Sequence, residues 1–75
     1  MRAYVLIKTQ DGSRSLGAAL RAMPGIERIE EVTGALDVIA LATAESVSDL
    51  LERVVSKIRE LPGVLHALPA PLVAA

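Results

Sequence analysis

One phrase occurs twice in this chain and sets most of what it can fold into. Leu20-Arg21-Ala22-Met23-Pro24-Gly25-Ile26 is matched by Ile58-Arg59-Glu60-Leu61-Pro62-Gly63-Val64. In each, an apolar-periodic stretch runs into Pro-Gly and then into a β-branched residue. The residue before proline is pushed out of the α region, and glycine accepts a left-handed conformation that other residues resist. A helix therefore stops at each Pro-Gly, and the β-branched residue opens a strand.

Before each stop the spacing predicts a helix. Leu16, Ala19, Leu20 and Met23 fall at i, i+3, i+4, i+7. Val47, Leu51, Val54, Ile58 and Leu61 repeat every three or four residues, widened by Leu50 and Val55, with Asp49, Glu52, Arg53, Lys57 and Glu60 opposite. Ser46 followed by Asp49 reads as a capping-box variant, and Asp49 with Arg53 forms an i, i+4 pair. Gly17 lies within the first helix, where it costs about 1 kcal/mol and suggests a close backbone approach.

Before each helix lies a strand, over residues 3–8 and 36–42. Another, over 26–32, meets the latter across Thr33-Gly34-Ala35, a short glycine-bearing hairpin loop. The last strand opens at Val64 and carries Pro69 and Pro71, which confine it to a sheet edge. Two strand–helix–strand halves joined by a hairpin predict an α+β fold. It is a ferredoxin-like βαββαβ sandwich, with a four-stranded antiparallel sheet and two helices on one face.

In such a sandwich the second face of the sheet is bare and should carry polar residues. The central strands do not comply. Ala3, Val5 and Ile7 point one way, but Tyr4 and Leu6 point the other; Leu36, Val38 and Ala40 oppose Ile39 and Leu41. A chain of 75 residues with 52% hydrophobic residues and no cysteine has neither the size nor a disulfide to compensate. A sheet-to-sheet homodimer, the dimeric α+β barrel arrangement, is the expected remedy.

Few functions have residues to perform them. Net charge is −1 with no basic stripe, so no direct nucleic-acid partner is expected. No apolar run approaches about 20 residues, and no signal-like segment opens the chain, so a cytoplasmic location is expected and no membrane partner. His66, the one histidine, has no carboxylate nearby in sequence and reads as an ordinary strand residue. With no acid–base pair and no cysteine, neither catalysis, metal nor cofactor is expected. One polar group stands out, Thr33-Gly34-Ala35-Leu36-Asp37, at the mouth of the hairpin. Asp37 either accepts backbone N–H bonds and pins the hairpin, or grips an amino-bearing small molecule at a subunit boundary.

The order of these motifs resembles the effector-binding (RAM) domain of Lrp/AsnC feast/famine transcriptional regulators, in its stand-alone form. The residues that carry the resemblance are Tyr4-Val5-Leu6-Ile7, Met23-Pro24-Gly25-Ile26, Val32-Thr33-Gly34-Ala35-Leu36-Asp37 and Lys57-Ile58-Arg59-Glu60-Leu61-Pro62-Gly63-Val64. It runs from residue 3 to about residue 68. The resemblance implies one RAM-like domain over 1–75 without a DNA-binding domain. It implies dimers joined through the sheets, assembling into octameric or decameric rings. An amino acid or related metabolite would bind near Thr33, Gly34 and Asp37. Full-length Lrp/AsnC regulators would be partners, through which the module modulates transcription. The chain departs from the family pattern at Leu36, where an aromatic is usual, and at Ala67 and Pro69, where threonines are. The alternatives are a ligand-free structural oligomerisation partner and a small dimeric α+β barrel enzyme.

Overall fold

A computed structural model describes residues 1–10, 14–32 and 37–72, with the backbone alone at Arg14, Ser15, Val32 and Asp37. Six elements follow in order: β1 (Arg2–Thr9), α1 (Arg14–Arg21), β2 (Ile26–Val32), β3 (Asp37–Thr43), α2 (47–59) and β4 (Val64–Pro71). The strands form one sheet in the order β2-β3-β1-β4, every neighbouring pair antiparallel. This is the ferredoxin-like βαββαβ arrangement the sequence predicts, with each half's strands separated by a strand of the other.

The repeated phrase builds the same turn twice. Met23 N–H donates to the Leu20 carbonyl at 3.0 Å, and Leu61 N–H to the Ile58 carbonyl at 3.0 Å. Gly25 and Gly63 follow with φ of 91° and 87°, a region where a Cβ is strained. Their carbonyls then accept from the ends of neighbouring strands: Thr43 N–H to Gly25 and Gln10 N–H to Gly63, each at 2.7 Å. Each Pro-Gly thus stops a helix and ties its turn to the sheet.

Both helices cover one face. Ala3, Val5, Ile7, Ala40, Ala42 and Ala67 of the sheet pack with Leu16 and Leu20 of α1 and with Leu50, Val54, Val55 and Ile58 of α2 in one buried cluster. In α1 the expected stripe is the observed one, with Leu16 and Leu20 buried and Met23 packed against the core. Gly17 meets side chains rather than backbone: an added Cβ would lie 3.6 Å from Ile29 Cδ1 and 3.4 Å from Arg21 Nη1.

In α2 the expected stripe is wrong over its first half. Val47 and Leu51 are 51% and 43% exposed, whereas Leu50 is fully buried. The cause is a change of winding. Val47–Asp49 and Ser56–Arg59 are α-helical, but Leu50–Val55 between them is π-helical. Bonding from i to i+5 stacks Leu50 over Val55. This rotates the preceding turn by about one residue and carries Leu51 out to solvent. The start of the helix behaves as expected: Ser46 Oγ accepts from Asp49 N–H at 3.0 Å. Asp49 reaches back to Glu45 N–H at 2.9 Å, one residue earlier than in a standard capping box, and also holds Arg53 at 3.2 Å.

Candidate functional site

The face away from the helices is built in rows, because directly opposed residues of paired strands share a face. One row reads Arg28, Leu41, Tyr4, Ala70 across β2, β3, β1 and β4; the next reads Glu30, Ile39, Leu6, Leu68. The last pairs Lys8 with His66, beside the paired backbone of Val32 and Asp37 at the β2–β3 end. The middle of this face is therefore apolar and its β2 side is charged. Leu6 and Leu68 are 46% and 57% exposed, while Tyr4 and Ile39 are half-buried. Leu41 lies between Arg28 and Tyr4 and is buried, although it does not belong to the core cluster.

A solvent-open concavity of about 280 Å³ lies on this face toward the hairpin end. Leu6, Ile39 and Leu68 supply an almost wholly apolar lining, and Lys8 and His66 border it from the terminal row. Sequence reasoning named Tyr4, Leu6, Ile39 and Leu41 but missed Leu68, Lys8 and His66. For Leu68 and His66, the two on β4, the reason is a bulge. Thr9 pairs with Val64 but Lys8 with His66, so Leu65 is an extra residue and the alternation of β4 reverses there. Counting from Val64, which packs on the core, Leu68 would fall on the covered face; past the bulge it falls on the open one.

The opposite end of the face is polar and tied. Glu27 is the extra residue of a second bulge, between Ile26 and Arg28. Its carboxylate accepts from the Thr43 hydroxyl and from Arg2 Nε, the latter at 3.1 Å. Those two bonds, the hydroxyl's first, hold the Glu27 carboxyl below its ordinary value.

Of the sequence-predicted ligand residues, Thr33 and Gly34 lie outside the described residues, as does Leu36. Asp37 opens β3, its backbone paired between Val32 and Lys8 in the row that bounds the concavity. Ala67, at a position where the family pattern has threonine, is buried in the core, and Pro69 pairs with Val5. Among the described residues no cluster of His, Cys, Asp or Glu is arranged to hold a metal. No described helix is long and apolar enough to cross a membrane.

Comparison with known proteins decides the family. The model of the Lrp/AsnC ligand binding domain matches residues 2–67. The chain belongs to this family. It is a family of regulatory, non-catalytic ligand-binding domains, in which small-molecule binding and oligomerisation are general. The chain is similar to a crystal structure of TTHA0845 from Thermus thermophilus, at 30% identity and a TM-score of 0.77, covering 99% of this chain and 96% of that one. It is also similar to a hypothetical protein from Pyrococcus horikoshii, at 28% identity and a TM-score of 0.76, covering 96% and 90%. Among curated proteins none matches.

Proposed function

We propose that this Lrp/AsnC ligand-binding domain works as an oligomeric sensor of an amino acid or related small metabolite. Two protomers bury their open sheet faces against each other, and the effector binds beside Thr33, Gly34 and Asp37, between β2 and β3. The signal passes on to full-length Lrp/AsnC regulators. The observation that carries this reading is the apolar open face, with Leu6 and Leu68 about half exposed in a chain of 7.9 kDa. A domain this small has little stability in reserve, and leaving that surface wet forgoes roughly 25 cal/mol for each Å² of apolar area it could bury.

Light scattering tests the assembly: the expected mass is at least twice 7.9 kDa at micromolar concentration, and a mass of 7.9 kDa overturns it. Thermal unfolding with each proteinogenic amino acid tests the sensing. A ligand that binds only the folded state adds about 2.7 kcal/mol at 100 times its Kd. The second reading, a structural oligomerisation partner without a ligand, draws on Ala67, whose buried place in the core offers a cleft no hydroxyl. An intact oligomer that no amino acid or related metabolite stabilises selects that reading.

A further inference from the structure

The two free edges of the sheet are treated differently, and β4 is the guarded one. Leu72 N–H donates to the Arg2 carbonyl at 3.0 Å, just past the end of β4. Antiparallel pairs alternate between bonded and non-bonded, so Ala70, Leu68 and His66 also turn their backbone groups toward β1. The backbone groups of Pro71, Pro69 and Ala67 consequently face outward. Proline has no N–H, so two of these three outward donors do not exist. The third position has lost an acceptor instead: Arg59, near the end of α2, reaches across and donates Nη2–H to the Ala67 carbonyl at 3.0 Å. Below it, the bulge at Leu65 breaks the pairing register of the edge.

The β2 edge is different. Odd residues of β1 bond to β3 through Val38, Ala40 and Ala42, which leaves Ile39 and Leu41 to bond with Glu30 and Arg28. Ile29 and Glu31 therefore carry outward backbone groups, and both keep their N–H. Exposed Glu27, Arg28, Glu30 and Glu31 give this strand charge but leave its donors in place.

We infer that Pro69, Pro71 and Arg59 together close the β4 edge to strand addition, so that copies of the chain cannot extend the sheet at that side. An exposed edge is a template for pairing with any other strand, and proline and an intercepting cation are two ways to remove it. The device directs association to the sheet face, where a contact between two copies closes on itself, and away from an edge contact that propagates.

The test restores the edge. The variant Pro69→Thr/Pro71→Thr/Arg59→Met returns two N–H donors and frees the Ala67 carbonyl. It should show a several-fold rise in species larger than the wild-type assembly, growing with concentration and time, with increased thioflavin T fluorescence. Circular dichroism and a cooperative thermal transition must show that it remains folded. If it is folded and keeps the wild-type size at every concentration, the inference is overturned. Should it not fold, Pro69→Thr and Arg59→Met separately carry the test: each must raise the large fraction, and wild-type size in both overturns it. The result does not depend on the sheet-face reading, which the wild-type mass together with charge placed on that face at Leu68 decides.

Discussion

Leu6 and Ile7 are neighbours in β1, yet one is about half exposed and the other is buried under two helices. The same contrast runs through β3, where Val38, Ala40 and Ala42 face the core cluster and Ile39 faces the open side. Both faces are aliphatic, so hydrophobicity alone does not distinguish them. They differ in what covers them. On one side α1 and α2 fill the space with interlocking side chains; on the other, no part of the described chain does. A strand that is apolar on both sides is ordinarily a buried strand. This chain thus presents a sheet that is apolar on both sides and covered, among the described residues, on one.

Charge placed on each face breaks the comparison most directly. Val38→Lys puts an unpaired ammonium in the core and should abolish the cooperative thermal transition. Leu68→Lys should leave the circular dichroism spectrum and that transition in place while reducing the mass in solution toward 7.9 kDa. Loss of folding in both variants would mean that the open face is part of the protomer's own core.

Two glycines on the covered side sharpen it at smaller scale. Gly25 has φ of 91°, and an added Cβ would sit 3.0 Å from the Thr43 carbonyl oxygen. Gly25→Ala should cost about 1–3 kcal/mol in urea unfolding. Gly17→Ala should do the reverse, adding about 0.5–1 kcal/mol, because its nearest neighbours are side chains at ordinary contact distance. Destabilisation by Gly17→Ala would show that α1 sits against β2 more tightly than these distances imply.

The smallest effect belongs to the polar end of the open face. The Thr43 and Arg2 bonds lower the folded-state pKa of Glu27, so its ionised form contributes stability above the ordinary carboxylate value. That contribution is lost as pH falls through the lowered folded value. In wild type, stability should decline slightly across that acid range. Glu27→Gln should flatten that decline and remove near neutrality the same small contribution, which solvent screens as it does any exposed ion pair. An unchanged acid limb would show that the bonds do not persist in solution.

Much of this architecture was legible in the residues because local signals agreed with one another. The Pro-Gly phrase gave both junctions, and the two prolines of β4 gave the edge. The double apolar character of β1 and β3 gave the open face. What was hidden depended on departures from regular period. The π-helical turn carried Leu51 out to solvent, although regular spacing sets it between Val47 and Val54 on the apolar side; Leu50, four residues before Val54, was already counted inward. The bulge at Leu65 reversed β4 and concealed Leu68 and His66 as neighbours of Leu6 and Lys8. For the candidate ligand site the sequence supplied Thr33, Gly34 and Asp37 by resemblance. Of these the described fold bears on Asp37, whose backbone it sets in the row beside Lys8.

The interleaving of the two halves has a consequence for synthesis. Of the four strands of this sheet the earliest, β1, is an inner strand, and it pairs with β3 on one side and with β4, the latest of the four, on the other. Ala3 waits for Pro71. Closing contacts between the two ends of a chain is the slow part of folding. Only the β2–β3 hairpin joins strands that are consecutive in the chain, so it is the natural first structure to form on the ribosome. Until β4 emerges, β1 has an unpaired side of its own, without the prolines that later shield the finished edge. The inner edge of β1 therefore stays without its partner until β4, the last of the four strands, has been made.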